Sequence, residues 1–185
     1  MFILYAVAIG LVLGLVLGGR PAGLADLQIR WPWLMVAGLL AQVALFSAPV
    51  TDRIGALGPP IYVASTAIVL AAILINRRIP GMLVVAVGAA CNLSAIIANG
   101  GYMPADPAIM AALGKADPTT YSNSAILPDP ALQPLTDIFV LPHWLPFTNV
   151  FSLGDVLIGI GVATVIVVAM RRSSSSRDLT AGPAG

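Results

Sequence analysis

Five apolar runs divide the chain, and each has the length of a short membrane-spanning helix. They cover residues 2–17, 31–48, 61–76, 81–98 and 153–170. A helix rises about 1.5 Å per residue, so roughly 17 to 25 residues cross the ~30 Å hydrocarbon core of a bilayer. Both faces of each run are apolar, and length rather than periodicity therefore indicates a span. The runs predict an all-α integral membrane bundle of five transmembrane helices.

The composition supports this class of protein and excludes others. Only 9% of the residues are charged, whereas soluble globular domains carry roughly 25%. The net charge is +1 and the sequence has no basic cluster, which argues against nucleic acid as a partner. The single cysteine, Cys91, excludes an intrachain disulfide and with it a stapled secreted fold.

The positions of the arginines predict the orientation of the bundle. With five spans, seven arginines fall on one side of the membrane, whereas the other side receives only Arg53 and Lys115. Cytoplasmic loops are enriched in Lys and Arg, so we expect the N-terminus outside and the C-terminus in the cytoplasm. The first run lacks the basic start and the cleavage site of a signal peptide.

The connection between the fourth and fifth spans, residues 99–149, becomes in this topology a 51-residue extracytoplasmic cap loop. Loops of this length are commonly functional, and its aromatic and aliphatic content is too high for a disordered segment. Asp106-Pro107 predicts a short helix ending near Gly114. Residues 1–170 are thus expected to form a single transmembrane domain. Residues 171–185, which are polar and serine-rich, are expected to form a disordered cytoplasmic tail.

The segment NGGYMP connects the fourth span to this loop. Asn99 can cap the carbonyl groups at the end of the helix or reach across to the fifth span. Gly100 and Gly101 permit the positive φ that turns a chain sharply out of a helix. Tyr102 supplies an amphipathic surface at the membrane interface. We interpret the segment as a hinge and a cap-anchoring site.

Polar side chains in the fourth and fifth spans are further candidates for binding or for anchoring the cap. Asn92 and Asn99 lie on one helical stripe. Asn92 predicts either a polar pocket that opens beneath the cap or an amide hydrogen bond to Gln42 or a backbone carbonyl. Ser152 and Asp155 form an S-x-x-D variant of the capping box, which gives Asp155 a structural role. Acid or base catalysis at the membrane interface is its alternative role.

No catalytic site stands out, and the candidates are Asp137, His143 and Asp155. His143 is the sole histidine, and with Asp137 and Asp129 it could form a general-base or metal site. One histidine without cysteine ligands is a poor metal signal, so we predict no metal and no cofactor. An interfacial histidine beside Trp144 is the structural alternative. Hydrolase, zinc-protease and nucleotide-binding motifs are absent from the sequence.

The first span carries Gly10, Gly14 and Gly18, which form a doubled G-x-x-x-G of the glycine-zipper type. Small residues four apart form a groove that lets another helix approach closely. The groove could be the face of a homodimer or an ordinary packing surface inside one bundle, and we favour packing inside the bundle.

Three segments resemble a known family: NGGYMP at 99–104, TDIFVLP at 136–142 and NVFSLGDVLIGIG at 149–161. They resemble a bacterial family of small multi-spanning membrane proteins that is described only as a domain of unknown function. NGGYMP and VFSxGD are the most specific pieces. The resemblance implies a bacterial inner-membrane location and an outer cap that closes on the start of the last span. It implies no catalytic residues.

Three functions follow from these observations. The first, which we favour, is a non-enzymatic accessory, scaffold or lipid-binding protein, because the spans hold few ionisable groups. The second is a membrane-embedded enzyme that acts on lipid-linked substrates at the outer leaflet through the three candidates above. The third is a small transporter that works as an oligomer, its path lined by Gln42, Asn92, Ser94 and Asn99. Membrane lipids are the expected partners, with a membrane-protein partner or a homo-oligomer as a further possibility.

Overall fold

The structure is a computed structural model that describes residues 2–112, 124–146 and 148–178. This part of the chain is mostly helical. Its α-helices are α1 Phe2–Val16, α2 Pro32–Leu45, α3 Ala48–Ile54, α4 Gly58–Ile75, α5 Met82–Ala98, α6 Pro107–Ala112 and α7 Leu153–Asp178. Its strands have two residues each: β1 Met103–Pro104, β2 Ser124–Ala125, β3 Phe139–Val140 and β4 Val150–Phe151. The helices α1, α2, α4, α5 and α7 occupy the five apolar runs of the sequence.

Two helices in the described ranges are long and apolar enough to cross a membrane by length and composition, Gly55–Ile75 and Leu153–Arg172. The first of these joins a short 3-10 turn to α4. The helices α1, α2 and α5 are apolar but shorter. The fold is therefore mostly helical with two candidate spans, and the five-span bundle stays a prediction.

The five apolar helices pack side by side in the order α1, α7, α5, α4, α2. Glycines bring α5 and α7 close together. A Cβ added to Gly88 would lie 2.4 Å from the carbonyl oxygen of Gly154, and one added to Gly161 would lie 2.7 Å from the carbonyl oxygen of Gly81. Because backbone atoms cannot move aside as a flexible side chain can, only glycine permits this approach.

The three glycines of the predicted G-x-x-x-G pattern divide into two kinds. A Cβ added to Gly10 would lie 3.0 Å from the Cα of Ala163, and one added to Gly14 would lie 2.4 Å from the Sδ of Met170, so both face α7 of the same chain. Gly18 lies beyond the end of α1 with a φ of +76° and no atom within 4 Å of its added Cβ. It therefore turns the chain and is not part of the packing face.

Several helix ends differ from those predicted. α2 ends at Leu45 instead of residue 48, because Pro49 fits the first turn of a separate helix, α3, where its missing N–H is not needed. α4 begins at Gly58, with two prolines in its first turn. α7 continues to Asp178, so residues 171–178 of the predicted tail are helical; residues 179–185 lie outside the described ranges.

Asp106 caps α6 as predicted. Its Oδ1 accepts hydrogen bonds from the backbone N–H groups of Ala108 at 2.8 Å and Ile109 at 3.2 Å. These N–H groups have no partner within the helix, which is why an aspartate is favoured at this position. The predicted end of the helix near Gly114 lies outside the described residues.

Asn76 joins the end of α4 to the connection between α1 and α2. Its side chain accepts a hydrogen bond from the N–H of Arg30 at 2.7 Å and donates to the carbonyls of Arg30 at 2.9 Å and Ala72 at 2.8 Å. The side chain is buried and its polar atoms are bonded, so it holds the two connections together at one end of the helices. Arg30 thus lies at the same end as Arg77 and Arg78.

Candidate functional site

The connection from α5 to α7 begins with an anchored turn. The Nδ2 of Asn99 donates hydrogen bonds to the carbonyls of Ala95 at 2.8 Å and Ala131 at 2.9 Å, and its Oδ1 accepts the N–H of Ala131 at 2.8 Å. Gly100 and Gly101 follow with φ values of +70° and +90°, and Tyr102 is half-buried after them. One side chain thus closes the end of α5 and holds a distant segment of the same connection against it.

Backbone hydrogen bonds join the described segments of this connection, which we call the cap (residues 99–149). β1 pairs with β2 in parallel, and β3 pairs with β4 in antiparallel. The N–H of Asp137 donates to the carbonyl of Pro104 at 2.9 Å, and the carbonyl of Asp137 accepts the N–H of Asp106 at 3.2 Å. The segment around Asp137 therefore lies between NGGYMP and VFSLGD and links the two motifs.

Two contacts attach the cap region to the start of α1. The ring of Phe151 stacks on Phe2, with 4.6 Å between centroids, and also on Phe139, with 5.5 Å between centroids. The hydroxyl group of Tyr5 donates a hydrogen bond to the carbonyl of Pro146. The first helix and the cap consequently close on the same end of α7.

A partly buried polar junction joins α5 to the first turn of α7. The carboxylate Oδ2 of Asp155 accepts the N–H of Ser152, and the Oγ of Ser152 accepts the N–H of Asp155, both at 3.0 Å. These are the two reciprocal bonds of a capping box. The Nδ2 of Asn92 donates to Asp155 Oδ1 at 2.9 Å, and its Oδ1 accepts from Ser152 Oγ at 2.8 Å. The amide of Asn92 therefore binds this junction rather than Gln42, which donates to Thr66 at 3.1 Å.

A polar chamber of about 230 Å³ lies between this junction and the cap. Its polar lining comes from α4, α5, the cap and α7: Tyr62, Asn92, Asp137, Asn149 and Asp155. The remaining lining side chains are apolar, and no described lining residue is basic. Two carboxyl groups on different elements thus share one space, and none of the described residues that line it has a positive side chain.

Asp137 is the most perturbed group of the chamber. It is 6% exposed, and its Oδ2 accepts a hydrogen bond from the Oγ of Ser124 at 3.1 Å. Burial raises the pKa of Asp137 from 3.8 to about 7, with a second contribution from the negative charge of Asp155. The hydrogen bond from Ser124 and the positive charge of the chain's N-terminus act in the opposite direction. The carboxyl group can therefore exchange a proton near neutral pH.

An apolar groove of about 550 Å³ adjoins the chamber and runs between the helices. It is lined mainly by aliphatic side chains from α1, α2, α4, α5 and α7, with Met35, Leu39 and Val69 among them. The groove and the chamber share the lining residues Ile3, Tyr62, Asn92, Ile96, Asp155 and Ile158. The polar and apolar spaces consequently meet at Tyr62, Asn92 and Asp155.

The other predicted site residues lie elsewhere. His143 and Asp129 are exposed in the cap, and neither lines the chamber. Of the residues proposed for a transport path, Gln42 and Asn92 line the groove, whereas Ser94 is exposed and donates to the carbonyl of its own helix at Ala90. Asn99 belongs to the anchored turn. The described residues contain no group of three or more His, Cys, Asp or Glu that could hold a metal ion.

Tyr62 and Asn149 line the chamber but were not among the predicted site residues. Each is distinctive in the sequence. Tyr62 is the only tyrosine in the third apolar run, and Asn149 directly precedes VFSLGD. Neither signal reveals that the two residues share a space with Asp137, because this depends on how the cap folds back over α4 and α7.

Comparison with known proteins gives a family for the chain and no activity. No curated protein and no solved structure matches it. A family of unknown function, DUF5317, matches residues 26–167, from the connection after α1 to the second half of α7. This confirms the resemblance to an uncharacterised family seen in the sequence. Because the match covers most of the chain, the protein belongs to DUF5317, a family of unknown function.

Proposed function

We propose that this protein is a multi-pass membrane protein that binds an amphipathic lipid. The head group occupies the polar chamber and the hydrocarbon chain lies in the apolar groove. One observation carries the proposal: the chamber with Asp137 and Asp155 adjoins the groove at shared lining residues. Small-molecule sites are typically mostly apolar cavities of roughly 300–1,000 Å³ with a few polar groups that orient the ligand. The groove and the chamber together have this size and this division.

The surface of the helices supports a position in the membrane. Large apolar side chains are exposed along the outer faces of α1 and α2, among them Val16, Leu40 and Val43. Contiguous apolar patches of this kind mark membrane or protein contacts. We place the five apolar helices in the bacterial cytoplasmic membrane as five spans, with the N-terminus outside and the C-terminus in the cytoplasm. The uneven distribution of arginines supports this orientation.

Lipid binding also fits the arrangement of the polar side chains beneath the chamber. The side chains of Asn92, Ser152 and Asp155 hydrogen-bond to one another, which gives a rigid floor to the chamber. A rigid polar floor beside an aliphatic groove suits reversible binding of a two-part ligand. An accessory role, in which the bound lipid is passed to a membrane-protein partner or a second copy of the chain, is compatible with this site.

The test is to fill the groove and measure the bound lipid. Leu39 lines the groove and is 54% exposed, whereas the adjacent Leu40 is 61% exposed and does not line it. We expect Leu39→Trp to lower the lipid retained per chain about tenfold, the effect of a loss of about 1.4 kcal/mol in affinity. Leu40→Trp is the matched control and should retain the wild-type amount. Mass spectrometry of the protein purified in mild detergent measures both.

Two results of that experiment would contradict the proposal. The first is that the wild-type protein carries no stoichiometric lipid, even after reconstitution with bacterial lipid extract. The site would then have no lipid ligand. Equal retention by the Leu39→Trp and Leu40→Trp variants would place the bound lipid outside the groove.

A second candidate function is an enzyme that acts on a lipid in this site, because the pKa of Asp137 near 7 suits a general acid or base. Incubation of the protein with a bacterial lipid extract would then yield a new lipid species. We expect Asp137→Asn to abolish the product while the lipid remains bound. His143→Ala should leave the product unchanged, since His143 does not line the chamber. Absence of any product from the wild-type protein would reject catalysis and leave lipid binding intact.

A further inference from the structure

The head group must supply the selectivity of the proposed lipid site. A hydrocarbon chain gains little when it leaves the bilayer for the groove, since lipid tails are as apolar as the aliphatic side chains that line it. The free-energy difference between one lipid and another therefore arises in the polar chamber. This inference rests on the proposed function and specifies its ligand.

The charged side chains that line the chamber have one sign. Asp137 and Asp155 line it from the cap and from α7, and the other polar lining residues, Tyr62, Asn92 and Asn149, carry hydroxyl or amide groups. No described lining residue is basic. A phosphate or carboxylate in this space would meet two carboxyl groups without a compensating side chain, which is unfavourable in a buried setting.

The two carboxyl groups keep unused acceptor capacity. A carboxylate has two oxygens and roughly four lone-pair sites. Asp155 accepts one hydrogen bond at each oxygen, from Asn92 and from the N–H of Ser152. Asp137 accepts one from Ser124 at Oδ2. Both groups can therefore accept further hydrogen bonds from a donor in the chamber.

We propose that the polar chamber selects a lipid whose head group carries a primary ammonium, seated between the carboxyl groups of Asp137 and Asp155. An ammonium group has three donors and one positive charge. It satisfies both carboxylates and removes the repulsion between them, and charge-assisted hydrogen bonds of this kind are the stronger ones. A hydroxyl group supplies one donor and no charge, so a lipid alcohol binds less tightly, and a lipid phosphate binds least.

Binding of the ammonium competes with the proton on Asp137. The groups that act on Asp137 are Asp155 from α7, the Ser124 hydroxyl from β2 and the positive charge of the chain's N-terminus; Tyr62 lines the same chamber from α4. As the pH falls through about 7, Asp137 gains a proton and loses its attraction for a cation. An alkylamine stays protonated throughout, because its pKa is near that of lysine, roughly 10.4.

The test uses three probes with the same chain and different head groups: dodecylamine, dodecanol and dodecyl phosphate. Each is titrated into the full-length protein in lipid nanodiscs at pH 8, and binding is followed by isothermal titration calorimetry. We expect the amine to bind at least tenfold more tightly than the phosphate, with the alcohol between them. Lowering the pH to 6 should weaken amine binding at least threefold and leave alcohol binding unchanged.

Variants assign the effect to the chamber. Asp137→Asn has nearly the same shape and no charge, so it should remove most of the preference for the amine and its pH dependence. Asp129→Asn is the matched control, because Asp129 is an exposed aspartate of the cap that does not line the chamber. It should behave as the wild-type protein does.

The wild-type series alone can overturn the inference. Phosphate binding as tight as amine binding, or equal binding of all three probes, would refute an ammonium site while leaving lipid binding in place. Binding of none of the three probes would contradict the proposed function and this inference together.

Discussion

Asp155 raises the pKa of Asp137 across the polar chamber, although the two residues belong to different elements. Burial of Asp137 is the larger cause, and the charge of Asp155 is the second. Asp155 is fixed in place by Asn92 and by the backbone of Ser152, so the pair meets in a preformed arrangement. Two carboxyl groups in one buried space favour the uptake of either a proton or a cation.

This pair makes stability depend on pH. The pKa of Asp137 is about 7 in the folded protein and near its ordinary value of 3.8 in the unfolded chain. The folded state thus holds the proton more tightly, and this stabilisation is complete below pH 4 and lost as the pH rises through 7. At about 1.4 kcal/mol per pKa unit, the loss is at most about 4 kcal/mol.

We therefore expect the midpoint of thermal unfolding in detergent to fall by several degrees between pH 5 and pH 8. Asp137→Asn, which cannot titrate, should flatten this part of the profile. Asp129→Asn should keep the wild-type slope. Parallel profiles of the wild-type protein and Asp137→Asn over this pH range would contradict a raised pKa of Asp137.

Asn92 stabilises the contact of α5 with α7. Leucine at this position would leave the Ser152 hydroxyl and the Asp155 carboxylate each short of one partner in a partly buried junction. We expect Asn92→Leu to lower the free energy of unfolding by about 1–3 kcal/mol. Ser94→Ala is the control. Among the described residues Ser94 bonds only to Ala90 in the same helix, so its loss should cost less than about 0.5 kcal/mol. Equal effects in denaturant titrations would count against a shared junction.

Glycines at two helix contacts should differ in their tolerance of alanine. The added Cβ of Gly88 would meet the backbone of Gly154 at 2.4 Å, whereas that of Gly14 would meet the flexible end of Met170. We expect Gly88→Ala to destabilise by about 1–3 kcal/mol or more, the usual cost of overpacking. Gly14→Ala should cost clearly less, since Met170 can change its rotamer. The reverse order would contradict this account, because it would mean that the buried Met170 cannot move aside.

The orientation can be measured with single cysteines in a Cys91→Ser background. His143 is exposed in the cap and Arg78 is exposed at the opposite end of the helices, in the turn between α4 and α5. With five spans, His143→Cys should react with an impermeant thiol reagent in intact cells. Arg78→Cys should react only after the membrane is permeabilised. If Arg78→Cys reacted in intact cells and His143→Cys only after permeabilisation, the topology would be the reverse of the proposed one.

The sequence predicted the positions of the apolar helices and several of their ends. Run length located the five apolar helices, Asp106 marked the start of α6, and Ser152 with Asp155 marked the start of α7. These features are local: a capping side chain or a proline acts on its own helix turn. The end of α2 was missed because a run of apolar residues hides the short helix that Pro49 begins.

The site was only partly predictable for a different reason. Asn92, Asp137 and Asp155 were candidates for their chemistry, but their meeting depends on contacts between distant segments. The cap folds back through the pairing of Pro104 with Asp137 and the bond from Asn99 to Ala131. No pattern within one segment encodes such pairings. The groove also could not be predicted from the sequence. It is a space between helices whose faces are all apolar, so no face is marked as lining it.

The central claim is that the groove and the chamber form one lipid site. Saturable photolabelling tests this claim most directly. The probe is a long-chain alcohol with a diazirine in the middle of its chain, used with the wild-type protein in nanodiscs. Its neutral head group makes the result independent of the preference for ammonium. Peptide mass spectrometry locates the adducts.

We predict adducts at groove residues such as Leu39 and Val69 that disappear with an excess of unlabelled alcohol, while adducts at the outward-facing Leu40 and Val43 persist. Saturable adducts at the groove would show a bound chain among the helices. Adducts at Leu40 and Val43 alone, or groove adducts that competitor does not reduce, would contradict the account.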